Sequence, residues 1–359
     1  MKSESWSQIL AVIRLELRKT FFARRGLWIY ILAFAPVLLF FTAGVYSGRE
    51  RARLARIAAT HPVPPGALRT IQIGMNRQGA VEQLGKPYQT FTRQFRIGRE
   101  GTLERGVDRY TDGEADVTLS FDDGKLTRVN RNEPLNVSRS ELLFASVFQL
   151  YFVRLAIFFG CVGVFMNLFR GELLDKSLHF YLLTPMPRET LLVAKYLSGF
   201  IATTVIFSTS TALQAFALLR QFDSATIQQY LQSGGWGHIG AYIGVTALAC
   251  AGYGSVFLTA GLLFRNPIVP AATVLLWEGA NLFVPATLKR ISLIFYLQSL
   301  CPVAAPTDTT LPPLFSLLVS PAEPASNPIA IGGIMMLTLF MLFMGSLKAK
   351  KLEINYSSD

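Results

Sequence analysis

The sequence predicts an α-helical integral membrane protein with six transmembrane helices, an amphipathic amino-terminal helix and one small inserted α+β domain. Three observations carry that prediction. Hydrophobic residues fill 51% of the 359 positions and the mean hydropathy is +0.37, too apolar for a water-soluble globule. Apolar runs long enough to cross a hydrocarbon core of about 30 Å recur along the chain. One stretch, 47–140, interrupts them with dense charge and is long enough to fold by itself.

Residues 5–24 come first. Trp6, Ile9, Leu10, Ile13, Leu17 and Phe21 follow the helical repeat on one face, while Gln8, Arg18 and Lys19 take the other. Such a helix lies in the membrane interface with its arginines near the phosphates, either as an anchor or as an elbow that reports motion of a cytoplasmic partner. Six spans follow from length and hydropathy: 27–46, 143–168, 196–219, 239–264, 268–283 and 328–347. The fifth is short and carries Glu278. The first is too long, and its basic flank too extended, for a cleaved signal peptide, so it reads as a retained helix.

Lysine and arginine in the short segments set the orientation. Lys2, Arg14, Arg18, Lys19, Arg24 and Arg25 at one end of the chain, and Lys348, Lys350 and Lys351 at the other, place both termini in the cytoplasm, as an even number of spans requires. Arg170, Lys176, Arg188, Lys195 and Arg265 fall on the same side. The net charge of +11 follows from this topology and from an arginine-rich external segment, which leaves no need for a nucleic-acid partner.

That external segment opens with a basic helical stretch, 49–59, and a break at Pro62, Pro64 and Pro65. A helical pattern through Ala80, Val81 and Leu84 then stops at Gly85 and Pro87. Strand-like runs follow at 89–97, 106–110 and 116–121, and Asp122-Asp123-Gly124-Lys125 turns the chain into 126–129, a hairpin signal. The Gly74-Met75 entry, Val81, Leu84-Gly85-x-Pro87 and the Phe121-x-Asp-Gly-Lys-Leu126 hairpin resemble the small periplasmic domain typified by the outer-membrane lipoprotein BamE. The resemblance implies binding or scaffolding through 47–140 toward a periplasmic partner. The lipid-attachment cysteine of that family has no counterpart here.

Residues that could support bond chemistry are sparse. His61, His179 and His238 are far apart and on different predicted sides of the membrane, and Cys161, Cys250 and Cys301 lack metal-ligand spacing. Gly252-Tyr253-Gly254-Ser255 lacks the second glycine of a nucleophile elbow, and small residues in spans serve close packing. There is no GxxxxGK[ST] phosphate loop. Two charges fall inside spans, Arg154 in the second and Glu278 in the fifth. Charges at such depth normally face a bundle interior or a wet cavity, often paired. They therefore read as partners or as the lining of one polar path; the plainer alternative is a snorkelling Arg154 and a protonated Glu278.

The segment 170–195 is the most informative one. It reads RGELLDKSLHFYLLTPMPRETLLVAK and lies between two apolar spans, with a helical stretch at 172–183 broken by Thr184-Pro185-Met186-Pro187. Glu172 after the second span, Leu183-Thr184-Pro185 at the break, and Arg188 and Lys195 leading into the third resemble the type-2 permease of ATP-binding cassette (ABC) exporters. The resemblance implies a coupling helix at 171–183, with Glu172, Asp175, Ser177, Leu183, Thr184, Pro185, Arg188 and Lys195 engaging a separately encoded ABC ATPase. It implies an elbow helix bearing Trp6, Ile13, Leu17 and Arg18, a homodimer with two ATPases, contact with membrane lipids, and residence in the bacterial cytoplasmic membrane.

The chain itself then has no catalytic residue and binds no cofactor, ATP and Mg being held by the partner. Domain organisation follows as 1–46 (elbow and first span), 47–140 (external α+β domain) and 141–359 (the remaining spans, with an external loop at 285–327 in which 288–300 is a re-entrant or surface helix). Two functions compete. One is export of a substrate that the sequence does not name; the other is mechanotransmission, in which ATP use moves the external domain against a periplasmic partner and nothing is transported.

Overall fold

A computed structural model describes residues 2–22, 26–97, 101–133, 136–174, 187–264, 266, 268–281, 283–305 and 323–350. In chain order the elements are α1 (Lys2–Phe22), α2 (Leu27–Thr60), α3 (Arg77–Leu84), β1 (Gln89–Ile97), β2 (Gly101–Thr111), β3 (Asp116–Asp122) and β4 (Lys125–Asn132). They continue as α4 (Val137–Val147), α5 (Phe158–Leu174), α6 (Arg188–Leu219), α7 (Ser224–Tyr230), α8 (Trp236–Leu263), α9 (Ile268–Ala280), α10 (Ala286–Lys289), α11 (Leu293–Ser299) and α12 (Asn327–Lys350). The chain divides into two compact units, one of Met1–Phe40, Glu141–Leu218 and Ser224–Asp359, the other of Phe41–Ser140 and Leu219–Asp223.

The first unit is helical. Among the described residues five helices are long and apolar enough to cross a membrane: Leu27–Thr60, Val137–Phe169, Arg188–Leu219, Ser224–Leu263 and Asn327–Lys350. They coincide with predicted spans one to four and six. The predicted fifth is the 13-residue α9, which ends at Ala280, about 20 Å long at the helical rise; Pro285 then precedes α10. The predicted helix at 288–300 is instead two short pieces, α10 and α11, and α11 buries Leu293, Ile294 and Leu297 among the other helices.

Two π-helical segments interrupt the long helices. Phe148–Ile157 joins α4 to α5, and Leu231–Gly235 joins α7 to α8, where Gly234 takes a φ of 118°. Neither is legible from apolar periodicity, because an extra residue per turn leaves the composition unchanged. Packing within the unit uses aromatic ladders and glycines. Phe40, Phe144 and Phe148 stack in sequence and Phe152 follows at a tilt, and Tyr242 meets Phe144 edge-on with centroids 4.8 Å apart. Helices α5 and α8 approach closely, since a Cβ on Gly254 would lie 2.4 Å from the Phe165 ring and one on Gly261 would lie 3.2 Å from the Met166 backbone.

The second unit is a four-stranded antiparallel sheet in the order β1-β2-β3-β4, with α3 on one face. Tyr110, Val117, Leu119, Phe121 and Leu126 alternate onto that face and close a core with Ala80, Leu84 and Leu68. The turn between β3 and β4 has Asp123 at φ 47° and Gly124 at φ 76°, the left-handed pair that a two-residue hairpin requires. Strand β2 runs well beyond the predicted 106–110, because it pairs with β1 from Gln89↔Arg109 to Ile97↔Gly101. Ladder pairing outweighs the poor strand propensity of Glu104 and Gly106.

Ion pairs brace this unit. Arg77 donates two hydrogen bonds to the buried Asp108, at 2.8 and 2.6 Å, and that contact raises the Arg77 pKa. Asp116 is paired with Arg109 and accepts from Tyr88 Oη at 2.7 Å. Burial, and then this bond to Asp116, push the Tyr88 hydroxyl up to about 12.

Candidate functional site

Lys195 lies in the apolar run LLVAKYL near the start of α6, where an ammonium must find partners or leave. It is fully buried and does find them. Its Nζ donates to Glu16 Oε1 at 2.8 Å and to the Leu168 carbonyl at 2.8 Å, and it faces the Phe169 ring 5.3 Å from the centroid. One charge cluster thus joins α1, the end of α5 and the start of α6. Arg188 donates to the Lys350 carbonyl at 3.0 Å, and Lys350 Nζ pairs with Glu189 at 2.5 Å. The end of α12 therefore meets the start of the same helix.

Of the predicted coupling residues, Arg188 and Lys195 belong to this gathering. Asp175, Ser177, Leu183, Thr184 and Pro185 lie outside the described residues, as do the side chains of Glu172 and Trp6. On α1, Ile13 and Leu17 are half-buried and Arg18 is exposed. The buried line of that helix runs instead through Val12 and Glu16, while Leu10 is 62% exposed. Glu16 is the residue that the apolar repeat did not single out. Its signal is a carboxylate placed among hydrophobic neighbours, matched by a lysine in the same setting at the start of the third span.

The two intramembrane charges have different fates. Glu278 is buried in α9, and its carboxylate accepts from Ser292 Oγ at 2.6 Å, Leu293 N at 3.0 Å and Ile294 N at 3.0 Å. It satisfies amides at the start of α11 that no carbonyl within that helix can reach. Arg154 sits in the π-helical segment Phe148–Ile157. Among the described residues it makes no hydrogen bond or ion pair, and its Nε is buried without a partner. Glu278 and Tyr253 lie within its electrostatic reach, but the three hydrogen bonds that the Glu278 carboxylate accepts hold it at the start of α11, and it makes no ion pair with Arg154 among the described residues. Tyr253 is fully buried, and its hydroxyl also has no partner.

Ser255 and His238 are engaged locally, the three cysteines are free, and His179 lies outside the described residues. Ser255 Oγ donates to the Gly252 carbonyl within α8, and His238 lies 3.1 Å from Glu141. Among the described residues no three His, Cys, Asp or Glu side chains gather as a metal site. Comparison of the chain with protein-family models, with curated proteins and with solved structures gives no match.

Proposed function

We propose that this chain is the membrane-embedded permease subunit of an ABC exporter, working as a homodimer with a separately encoded ATPase. The buried Glu16–Lys195 pair is the observation that best supports this reading. It fixes the amino-terminal helix to both helices that flank the charged segment 175–186, so a push delivered there reaches three elements at once. In this reading α1 is the elbow, 171–183 is the coupling helix, α9 with α10 and α11 makes the fifth crossing, and α12 makes the sixth. ATP and Mg are bound by the partner, and the bundle alternates between two packed states.

The test is to purify the tagged full chain from native membranes and assay the preparation for ATPase activity. A co-purifying Walker-motif ATPase, lost when 172–183 is replaced by a Gly/Ser stretch, is the expected result. A folded preparation with no ATPase removes the reading. One observation favours the mechanotransmission alternative as well: the sheet unit packs around a core of its own, as a part that acts on a partner would. Transport of a solute into sealed vesicles, or its absence during ATP turnover, separates the two.

A further inference from the structure

A guanidinium inside a bilayer carries a full charge and five hydrogen-bond donors, and both need to be answered. Arg154 lies near the middle of the apolar helix Val137–Phe169. Neither an ion pair nor a hydrogen bond within the described residues answers its charge. The carboxylate closest to the role, Glu278, already accepts three hydrogen bonds at the start of α11. A second group nearby is also unanswered. The Tyr253 hydroxyl is completely buried and unpartnered, and its ring is held edge-on against Phe158 at 5.4 Å and stacked on Phe257 at 6.3 Å, so it cannot swing away to find water. Arg154 and Tyr253 lie within electrostatic reach of each other, and Glu278 lies within reach of both. The π-helical segment that carries Arg154 is a distortion frequently found where a helix presents a group for function.

We infer that Arg154, with the Tyr253 hydroxyl nearby, is an intramembrane binding point for an anionic group, a phosphate or carboxylate borne by a lipid headgroup or by a water-soluble solute. Cation and hydroxyl are the donors that such an oxyanion needs, and Arg154 Nε and Tyr253 Oη both lack a hydrogen-bond partner among the described residues. An anion there would supply the direct partner that Arg154 does not find among the described residues. The inference requires only that the helices cross a membrane; it stands or falls independently of any ATPase.

The test uses the purified full chain in a neutral detergent and two probes. One is short-chain phosphatidylglycerol, compared with phosphatidylcholine of the same chain length; the other is inorganic phosphate. Binding is read by native mass spectrometry and by the shift of the thermal midpoint. At least one anionic probe should bind in preference to phosphatidylcholine, and Arg154→Gln should weaken it by about tenfold or more, with Arg154→Lys keeping part of the binding. Tyr253→Phe removes only the hydroxyl and should weaken it by a smaller factor; with Arg154→Lys it decides the matter if Arg154→Gln does not fold. Binding of phosphatidylglycerol alone identifies a lipid headgroup as the source, and binding of phosphate as well identifies a water-reachable site. Equal anion binding by the wild type and these variants, or no preference for anions, overturns the inference. So does rescue of the single reversals by Arg154→Glu combined with Glu278→Arg, which would assign Arg154 to Glu278.

Discussion

Lys195 and Glu16 are separated by 179 positions in the chain and by 2.8 Å in space. Replacing Lys195 with Met removes the buried counter-charge of Glu16, and breaking such a pair costs about 3–5 kcal/mol. The double replacement Glu16→Met with Lys195→Met should recover most of that loss, since two apolar side chains need no partner. Thermal unfolding of the four proteins of this cycle, in one detergent, measures the coupling; equal losses that simply add would mean that the pair contributes nothing as a pair. Tyr88 supports a second prediction in the sheet unit. Its pKa rises from the model-compound value of 10.0 to about 12, so the fold favours the neutral phenol. That stabilisation is complete below pH 10 and is lost as pH rises through about 12. Alkaline unfolding followed by near-ultraviolet circular dichroism should therefore shift in Tyr88→Phe, which cannot ionise. Neither contact is legible in the sequence, because hydropathy reports that a charged residue is buried or exposed but not which distant partner satisfies it.

At the scale of elements, the sequence is clearest where a local rule decides. Gly85 stops α3 with a φ of 82°, and Asp123-Gly124 turns the last hairpin; both follow from which residues tolerate the left-handed region. The long apolar runs gave five of the helices by length alone. What could not be read was set by tertiary contact: the extension of β2 by pairing with β1, the π-helical segments, and the division of 285–300 into α10 and α11. The α5–α8 contact belongs with these, because a glycine in an apolar run does not reveal its neighbour. Gly254→Ala would place a methyl 2.4 Å from the Phe165 ring and should cost about 1–3 kcal/mol through forced repacking. Combining it with Phe165→Leu should restore part of the loss, as read from the thermal midpoint. If Gly254→Ala is neutral alone, the two helices have room to separate and the close contact is not a constraint.

For the whole molecule, the decisive quantity is the number of crossings. The end of α12 meets the start of α6 through Arg188, Glu189 and Lys350, and α1 meets α6 through Glu16 and Lys195. Under the proposed function these helix ends share one side of the bilayer, which takes an even number of crossings between them, whereas the described residues hold five long apolar helices, an odd number. These contacts support assigning the remaining crossing to α9 with α10 and α11. Short helices can serve there only if their ends are satisfied inside protein, and Glu278 does this for α11. The positive residues near both termini argue the same way. Single cysteines at Arg14, Lys348 and Arg128, in a background where Cys161, Cys250 and Cys301 are replaced, test it. A membrane-impermeant maleimide on intact spheroplasts should label Arg128→Cys alone, and Arg14→Cys and Lys348→Cys should react only after permeabilisation. Labelling of Lys348→Cys from outside, with Arg14→Cys still protected, would mean five crossings. In that case α9, α10 and α11 return to the side they left, and the arrangement of an exporter permease no longer fits the chain.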